Sequence, residues 1–290
     1  MRKPLKRIAI IGLGLMGASL GLAIKHKKLA RSVAGYARRA RTRQQALAAG
    51  IVDQVFTKPA AAVQGAELVI FCVPVGAMRQ LVQASLPGLA ERAVLTDVGS
   101  SKKQIMQQMP PLVAAAGAHF IGSHPICGSE QQGLASALAD LYVKALVVVT
   151  PAPRTDAGAL KLVKDFWSAL EARVAILNAH QHDRLLSRTS HLPHLVSALL
   201  AFTVGRERPR HSGQFCGPGF RDVSRLAEGA PDLWLDIIAS NRPEVLRELQ
   251  ALQGGLERLL RLVAKPDSAA LRRFLVESRR RRRQLLRGLP

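Results

Sequence analysis

The segment Ser123-His124-Pro125-Ile126-Cys127-Gly128-Ser129-Glu130 sets a histidine just past an apolar, strand-like run over residues 118–122. An imidazole there serves as a buried hydrogen-bonding group, a metal ligand or a proton acceptor. A second histidine block runs from His182-Asp183 through Ser187 and Ser190-His191 to Pro193-His194, with helical spacing. Asp183, Ser187, Ser190 and His194 fall in one stripe of that helix, with Leu185, Leu192, Leu195, Val196 and Leu199 opposite. Such a stripe is ordinarily a solvated face. Two features favour a cleft instead: Pro193 interrupts the backbone ladder, and the stripe follows directly on the last strand signal. A zinc site built from His191 and His194 lacks a carboxylate or cysteine to complete it, so no metal is expected. A third block, Cys216-Gly217-Pro218-Gly219-Phe220-Arg221-Asp222-Val223-Ser224-Arg225, is a glycine-rich turn entering a helix. Beside a cleft, Arg221 and Arg225 on one face would clamp a carboxylate.

A nucleotide site is written more plainly. Gly12-Leu13-Gly14-Leu15-Met16-Gly17 directly follows an apolar strand signal and opens a helical stretch. The first glycine permits the tight turn, the second lets a pyrophosphate reach the backbone, and the third packs helix on strand. The end of the next strand reads Gly35-Tyr36-Ala37-Arg38-Arg39-Ala40-Arg41, with no acid to take a ribose 2′-hydroxyl. Arg38 and Arg39 supply donors for a 2′-phosphate, so NADP is favoured over NAD.

Positioning these groups falls to alternating elements. Strand signals over 7–11, 32–36, 68–73, 93–98, 118–122, 145–150 and 173–177, with helical patterns between them, predict an α/β fold: a doubly wound parallel sheet of Rossmann type. After Asn178 the strand signals cease, and 179–204, 232–262 and 268–286 are helical in period, with a loop over 205–219. The expected division is a dinucleotide-binding domain over 1–178 and an all-α domain over 179–290 ending in a basic tail. Open parallel sheets bind ligands at the carboxyl ends of their strands. The glycine turn, Val73-Pro74, Asp97-Val98-Gly99-Ser100 and Ser123-His124-Pro125 all fall on that edge. Val73, Pro74 and Asp97 are therefore expected beside the cofactor, and His124 at its nicotinamide end. Pro125 and Gly128 are expected to form the turn that holds the imidazole.

The 290 residues, 48% hydrophobic, suffice for one or two domains with a well-formed core. No apolar run reaches the roughly 18 residues that span a bilayer, and no membrane partner is expected. The basic, then apolar N-terminus superficially resembles an export signal, but three regularly spaced glycines interrupt it. Cys72, Cys127 and Cys216 make no C-x-x-C and are odd in number, which points to a reducing cytoplasm. A net charge of +22 favours anionic substrates. Eight arginines stand against Glu277 from Arg272 onward, a pattern of solvated helix faces and mobile tails. With 4% aromatic residues and no recognition motif, nucleic-acid binding is not expected as the primary role.

Taken in order, the blocks GLGLMG, DVGSSK, HPICGSE, HD…SHLPH and GFRDVSR, spread from Gly12 to Arg225, resemble the prephenate/arogenate dehydrogenase family of tyrosine biosynthesis. The resemblance implies oxidative decarboxylation of prephenate or arogenate with hydride transfer to NADP or NAD, in a homodimer formed by the helical domain. It assigns His124 as acceptor of the substrate hydroxyl proton, and Ser100 as the group orienting that hydroxyl. It makes Arg225 a carboxylate ligand, Ser190, His191 and His194 pocket residues, and Ser129 and Glu130 further pocket residues. By the same resemblance Asp183 and Asp222 position neighbours. Cys127 and Ser101 depart from the alanine and valine common in the family, and both are small enough to be tolerated. Neither a chorismate mutase segment nor a regulatory module is evident, so control by an appended domain is not expected. A β-hydroxyacid dehydrogenase is the alternative enzyme, although SHLPH lacks the lysine that class uses. A basic nucleic-acid-binding protein is the more distant alternative.

Overall fold

The computed structural model describes residues 3–127, 131, 133–206, 212–265 and 268–287. Eight strands form one sheet in the order β3-β2-β1-β4-β5-β6-β7-β8. The first six alternate with helices: β1 (Leu5–Ile11), α1 (Leu15–His26), β2 (Ala30–Tyr36), α2 (Ala40–Ala48), β3 (Gln54–Phe56), α3 (Pro59–Val63), β4 (Leu68–Phe71), α4 (Val75–Ser85), β5 (Val94–Asp97), α5 (Lys103–Ala114) and β6 (His119–Ile126). β7 (Leu146–Thr150), α6 (Ala157–Ala169) and β8 (Arg173–Ile176) extend the sheet.

Strands β1 to β6 pair in parallel, in the order of a doubly wound nucleotide-binding sheet. The central strands are buried on both faces, as helices on both sides require. Along β1, Ile8 and Ile10 enter one core with Leu20, Ile24 and Phe166, whereas Ala9 and Ile11 enter the other with Val69, Val82 and Leu95. That period of two explains why a continuous apolar run, rather than an alternating one, marked these strands.

Two features of the sheet differ from the sequence expectation. The short strand β3 was missed because only Val55 and Phe56 carry its signal. The other is β6, which runs on to Ile126 rather than ending at Gly122. Its first half pairs in parallel with β5, Leu95 opposite Phe120, and its second half pairs antiparallel with β7, His124 opposite Val148. The sheet is therefore mixed. Pro125 lies inside this strand opposite Val147, not in a turn, and Gly128 lies outside the described residues.

Beyond the sheet come α7 (Ala179–Leu186), a π-helical turn over Ser187–His191, α8 (Leu192–Val204), α9 (Pro218–Ser224), α10 (Pro231–Ser240), α11 (Arg242–Ala264) and α12 (Ser268–Leu285). Pro193 sits in the first turn of α8, where its missing N–H costs little, and the wide π turn before it absorbs the interruption. The helical stretch expected over 232–262 is broken at Asn241 into α10 and α11. Two compact units result, Met1–Arg242 and Pro243–Pro290. Within the second, Arg258 lies over the Phe274 ring and Glu277 pairs with Arg280 and Arg281. No helix among the described residues is long and apolar enough to cross a membrane.

Candidate active site

A cleft of about 720 Å³ opens in the first unit, at the carboxyl edge of the sheet. That size suits a small ligand or cofactor fragment. Gly14, Leu15 and Met16 of the glycine turn line it, as do Val73, Pro74, Ser100, His124, Ser190, His191, His194 and Arg225. Gly12, Leu13 and Gly17 lie behind this wall, with Leu13 packed into the core.

The glycine turn fits a pyrophosphate. Gly12 holds φ +103°, and a Cβ on Gly17 would come within 1.9 Å of the Gly12 carbonyl oxygen, so both positions exclude side chains. Gly14 instead faces open space and is the exposed N-cap of α1. α1 has no side-chain cap and no acid in its first turn. By contrast, the helices after β4 and β5 are capped from within the chain. Asp236 on α10 accepts from the N–H groups of Val75 (2.7 Å) and Gly76 (2.8 Å) at the start of α4. Asp183 on α7 accepts from those of Lys102 (2.7 Å) and Lys103 (2.9 Å) at the start of α5. α2, like α1, starts without a side-chain cap. The positive ends of α1 and α2 are thus left for an outside anion. Arg38 and Arg39, both exposed, stand at the start of α2, while Arg43 is turned back onto the carbonyls of Ala37 and Arg38.

His124 is 8% exposed and is tied to a chain of partners. Its Nδ1 lies 2.8 Å from His182 Nε2, and His182 Nδ1 lies 2.7 Å from Asp183 Oδ1. A carboxylate only accepts, so His182 carries its proton on Nδ1 and presents a bare Nε2. His124 Nδ1–H then donates to it, which leaves His124 Nε2 unprotonated. Burial, then the neighbouring charges of His182, Lys102 and His191, push the His124 imidazolium well below its ordinary range. Burial likewise pushes His182 down against the pull of Asp183, and lowers His191 to about 4. These rings are held neutral: a base at rest, backed by a carboxylate.

The helix bearing the second histidine block turns its polar stripe inward. Asp183, Ser187, His191, His194 and Ser197 are buried, whereas Leu185 and Leu199 are 45% and 55% exposed. Trp234 on α10 stacks flat on His194, ring centroids 3.5 Å apart and planes 9° apart, and meets His191 edge-on at 6.1 Å. Gly229 makes room for this stack, since a Cβ there would come within 2.4 Å of Trp234 Nε1. Asn241 donates to the Asp183 carbonyl oxygen at 2.9 Å, with its amide 3.4 Å from His191 Nδ1.

Asp97, expected beside the cofactor, has no exposed surface. Its Oδ1 accepts from Ser123 N–H at 3.0 Å, and its Oδ2 accepts from Gly99 N–H at 2.8 Å and pairs with the fully buried Lys102 ammonium. It shapes the strand end from below and does not line the cleft. Ser129 and Glu130 lie outside the described residues. Ser101 spends its hydroxyl on Ser240, 2.8 Å away, and so links the DVGSSK turn to α10. Cys72 and Cys127 line the cleft as neutral thiols: burial pushes Cys127 up to about 12, and burial with the Asp97 charge pushes Cys72 higher still. Neither supplies a thiolate nucleophile. Among the described residues, no group of three or more His, Cys, Asp or Glu side chains is arranged to hold a metal ion.

A doubly wound sheet with an open glycine-turn helix and a neutral, carboxylate-backed histidine at its carboxyl edge defines a nucleotide-dependent dehydrogenase. Family comparison agrees. Residues 20–176 match the prephenate dehydrogenase nucleotide-binding domain, and residues 178–277 match the prephenate dehydrogenase dimerization domain. The chain is 32% identical over 284 residues to the cyclohexadienyl dehydrogenase of Zymomonas mobilis, covering 96% of this chain and 95% of that one. Its fold superposes with a TM-score of 0.89 on prephenate dehydrogenase from Aquifex aeolicus in complex with hydroxyphenyl propionate and NAD+, at 28% identity over 98% of this chain and 100% of that one. The arogenate dehydrogenase of Synechocystis gives a TM-score of 0.82 at 28% identity, covering 96% and 99% of the two chains. The chain belongs to the prephenate dehydrogenase family.

Proposed function

We propose that the protein oxidises prephenate, arogenate or both, releasing carbon dioxide and forming 4-hydroxyphenylpyruvate or tyrosine, within tyrosine biosynthesis. The observation that carries this reading is the relay His124–His182–Asp183, whose outer member His124 lines the same cleft as the open glycine turn. Family membership selects this chemistry over that of a β-hydroxyacid dehydrogenase or a nucleic-acid-binding protein.

The substrate ring bears a hydroxyl opposite a quaternary carbon that carries a carboxylate. As the hydroxyl-bearing carbon gives up hydride, its oxygen gains carbonyl character and must shed a proton. His124 accepts that proton at Nε2. The new imidazolium donates through Nδ1 to His182, and the Asp183 carboxylate stabilises the charge through His182. Ser100, which lines the same cleft, orients the hydroxyl. Loss of the ring carboxylate as carbon dioxide returns its bonding pair to the ring, and aromatisation drives the step. Arg225 binds a substrate carboxylate, and Ser190, His191 and His194 line the same cleft, with Trp234 stacked on His194. Neutral imidazoles at His191 and His194 offer hydrogen bonds without competing with Arg225 for the anion.

The oxidised nicotinamide, when bound, supplies the hydride acceptor. The glycine turn from Gly12 to Gly17 cradles its pyrophosphate, and Val73 and Pro74 line the path to His124. NADP is the favoured form: α2 begins without a side-chain cap, and Arg38 and Arg39 stand exposed beside it. The division near residue 178 is supported by the two family models, which meet there. The matched dimerization domain supports a homodimer, and three free cysteines suit a reducing cytoplasm. The test is to incubate the protein with NADP+ or NAD+ and each substrate. Equimolar cofactor reduction and carbon dioxide release are expected, and no turnover with either substrate overturns the reading.

A further inference from the structure

Lys102 has no place in the steps above, yet it is among the largest side chains with no exposed surface. A buried ammonium is costly, and is kept only where partners compensate it. Its surroundings form a closed circuit. The Lys102 N–H donates to Asp183 Oδ1, the same oxygen that takes the His182 proton. His182 then meets His124, and the residue before His124, Ser123, donates its N–H to Asp97 Oδ1. Asp97 Oδ2 returns to the Lys102 ammonium. One residue thus grips both ends of the relay, by its main chain at Asp183 and by its side chain at Asp97.

The charges in this circuit are few. The groups acting on His124 are the His182 ring from α7, the Lys102 ammonium from the turn after β5, and His191 from the π turn; the Asp183 carboxylate stands behind His182, and the Asp97 carboxylate at the end of β5 pairs with Lys102. With both rings neutral, two carboxylates face one ammonium, and the cluster carries one negative charge. Accepting the substrate proton brings it to zero. Without the ammonium the resting cluster would hold two negative charges. It would then draw a proton from water onto the imidazoles before substrate arrived.

We propose that Lys102 is a positioning residue that locks the relay and keeps His124 uncharged, ready to accept the substrate proton. The proposal rests on His124 being the proton acceptor of the proposed reaction, but its test needs no turnover. Its support beyond geometry is that the Lys102 charge itself depresses the His124 imidazolium.

The experiment is a nitrogen-15 titration of histidine-labelled full-length protein, with the His124 signal assigned from its loss in His124→Gln. In the unaltered protein the ring is expected neutral at about pH 7, with the proton on Nδ1. Lys102→Gln keeps a donor for Asp97 but removes the charge, and should raise the His124 midpoint by about one pH unit or more. Lys102→Arg keeps the charge and should leave the midpoint near that of the unaltered protein. An unmoved midpoint in folded Lys102→Gln, or equal shifts in Gln and Arg variants, overturns the proposal. Should Lys102→Gln fail to fold, the unaltered protein still decides: a His124 ring found charged at about pH 7 overturns it. If these titrations hold while cofactor reduction fails, the proposed reaction falls and the role of Lys102 in the circuit stands.

Discussion

His182 Nε2 lies 2.8 Å from His124 Nδ1, so a helix from beyond the sheet reaches back to fix the tautomer of the residue on the cleft wall. The bond fixes which nitrogen of His124 carries the resting proton. Asp183→Asn removes the charge behind the pair and leaves one acceptor oxygen where Lys102 N–H, Lys103 N–H and His182 Nδ1 now share two. A hydrogen bond to a buried charged group is worth about 1.5–3 kcal/mol, so kcat should fall by roughly 10- to 100-fold. Cofactor affinity should stay unchanged, because the glycine turn is untouched. Steady-state kinetics beside cofactor titration by fluorescence checks both halves.

The pH dependence follows from the buried rings. His124 must be neutral to accept a proton, and burial holds its imidazolium well below the usual 6.5. Activity is therefore full above the folded pKa and falls as pH drops through it, so the acid limb of kcat/KM should lie below pH 6.5. Stability has the same sign. His191 is depressed from 6.5 to about 4, and His124, His182 and His194 are also lowered, so below about 6.5 the unfolded chain takes up protons that the folded one refuses. Each such ring contributes a loss of about 1.4 kcal/mol per pH unit as pH falls through its window. Denaturant titrations at several pH values should show this slope, and a stability independent of pH between 6.5 and 4 would contradict it.

The proposed preference for NADP rests on Arg38 and Arg39. Replacing both with alanine should raise KM for NADP+ by about tenfold or more and leave KM for NAD+ nearly unchanged, since an exposed charge pair still binds a phosphate modestly. An equal change for both cofactors would mean that the arginines only decorate the surface of α2.

Gly229→Ala tests the pocket wall. The added methyl group would fall within 2.4 Å of Trp234 Nε1 and 2.9 Å of His194 Cε1, so the stack must shift. Raised KM for the substrate, with cofactor binding preserved, is the expected outcome. Tryptophan emission should change as well, because Trp234 loses its ring contact with His194.

Much of this arrangement was legible in the residues themselves. Ile8 to Ile11 and Leu68 to Phe71 announced buried parallel strands, and the glycine spacing announced the turn between β1 and α1. His124, Ser190, His191, His194 and Arg225 were singled out from their blocks, and all five line one cleft. What stayed hidden depends on tertiary reach. Asp183 stood out on the polar stripe and as a positioning residue by resemblance, but its link through His182 to His124 was not legible, because the partners lie at the sheet edge, 58 and 81 residues away in sequence. The role of Asp236 is set by backbone amides 160 and 161 residues distant, which no local pattern encodes. The polar stripe of α7 and α8 has the pattern of a solvated face, but Pro193 and the stripe's place after the last strand pointed to a cleft, and Asp183, Ser187 and His194 on it are buried. Trp234 gave one faint signal: it is one of only two tryptophans in the chain.

In the proposed reaction His124 takes the substrate proton while the glycine turn holds the cofactor. The most direct measurement compares the unaltered protein with His124→Asn in NADP+ reduction by prephenate and by arogenate, with NADP+ affinity measured on the same samples. Turnover with at least one substrate, a kcat lowered by roughly 10²–10⁴-fold in the variant, and cofactor affinity within about twofold are expected. An unreduced kcat in His124→Asn, or a parallel loss of cofactor binding, would contradict that role of His124.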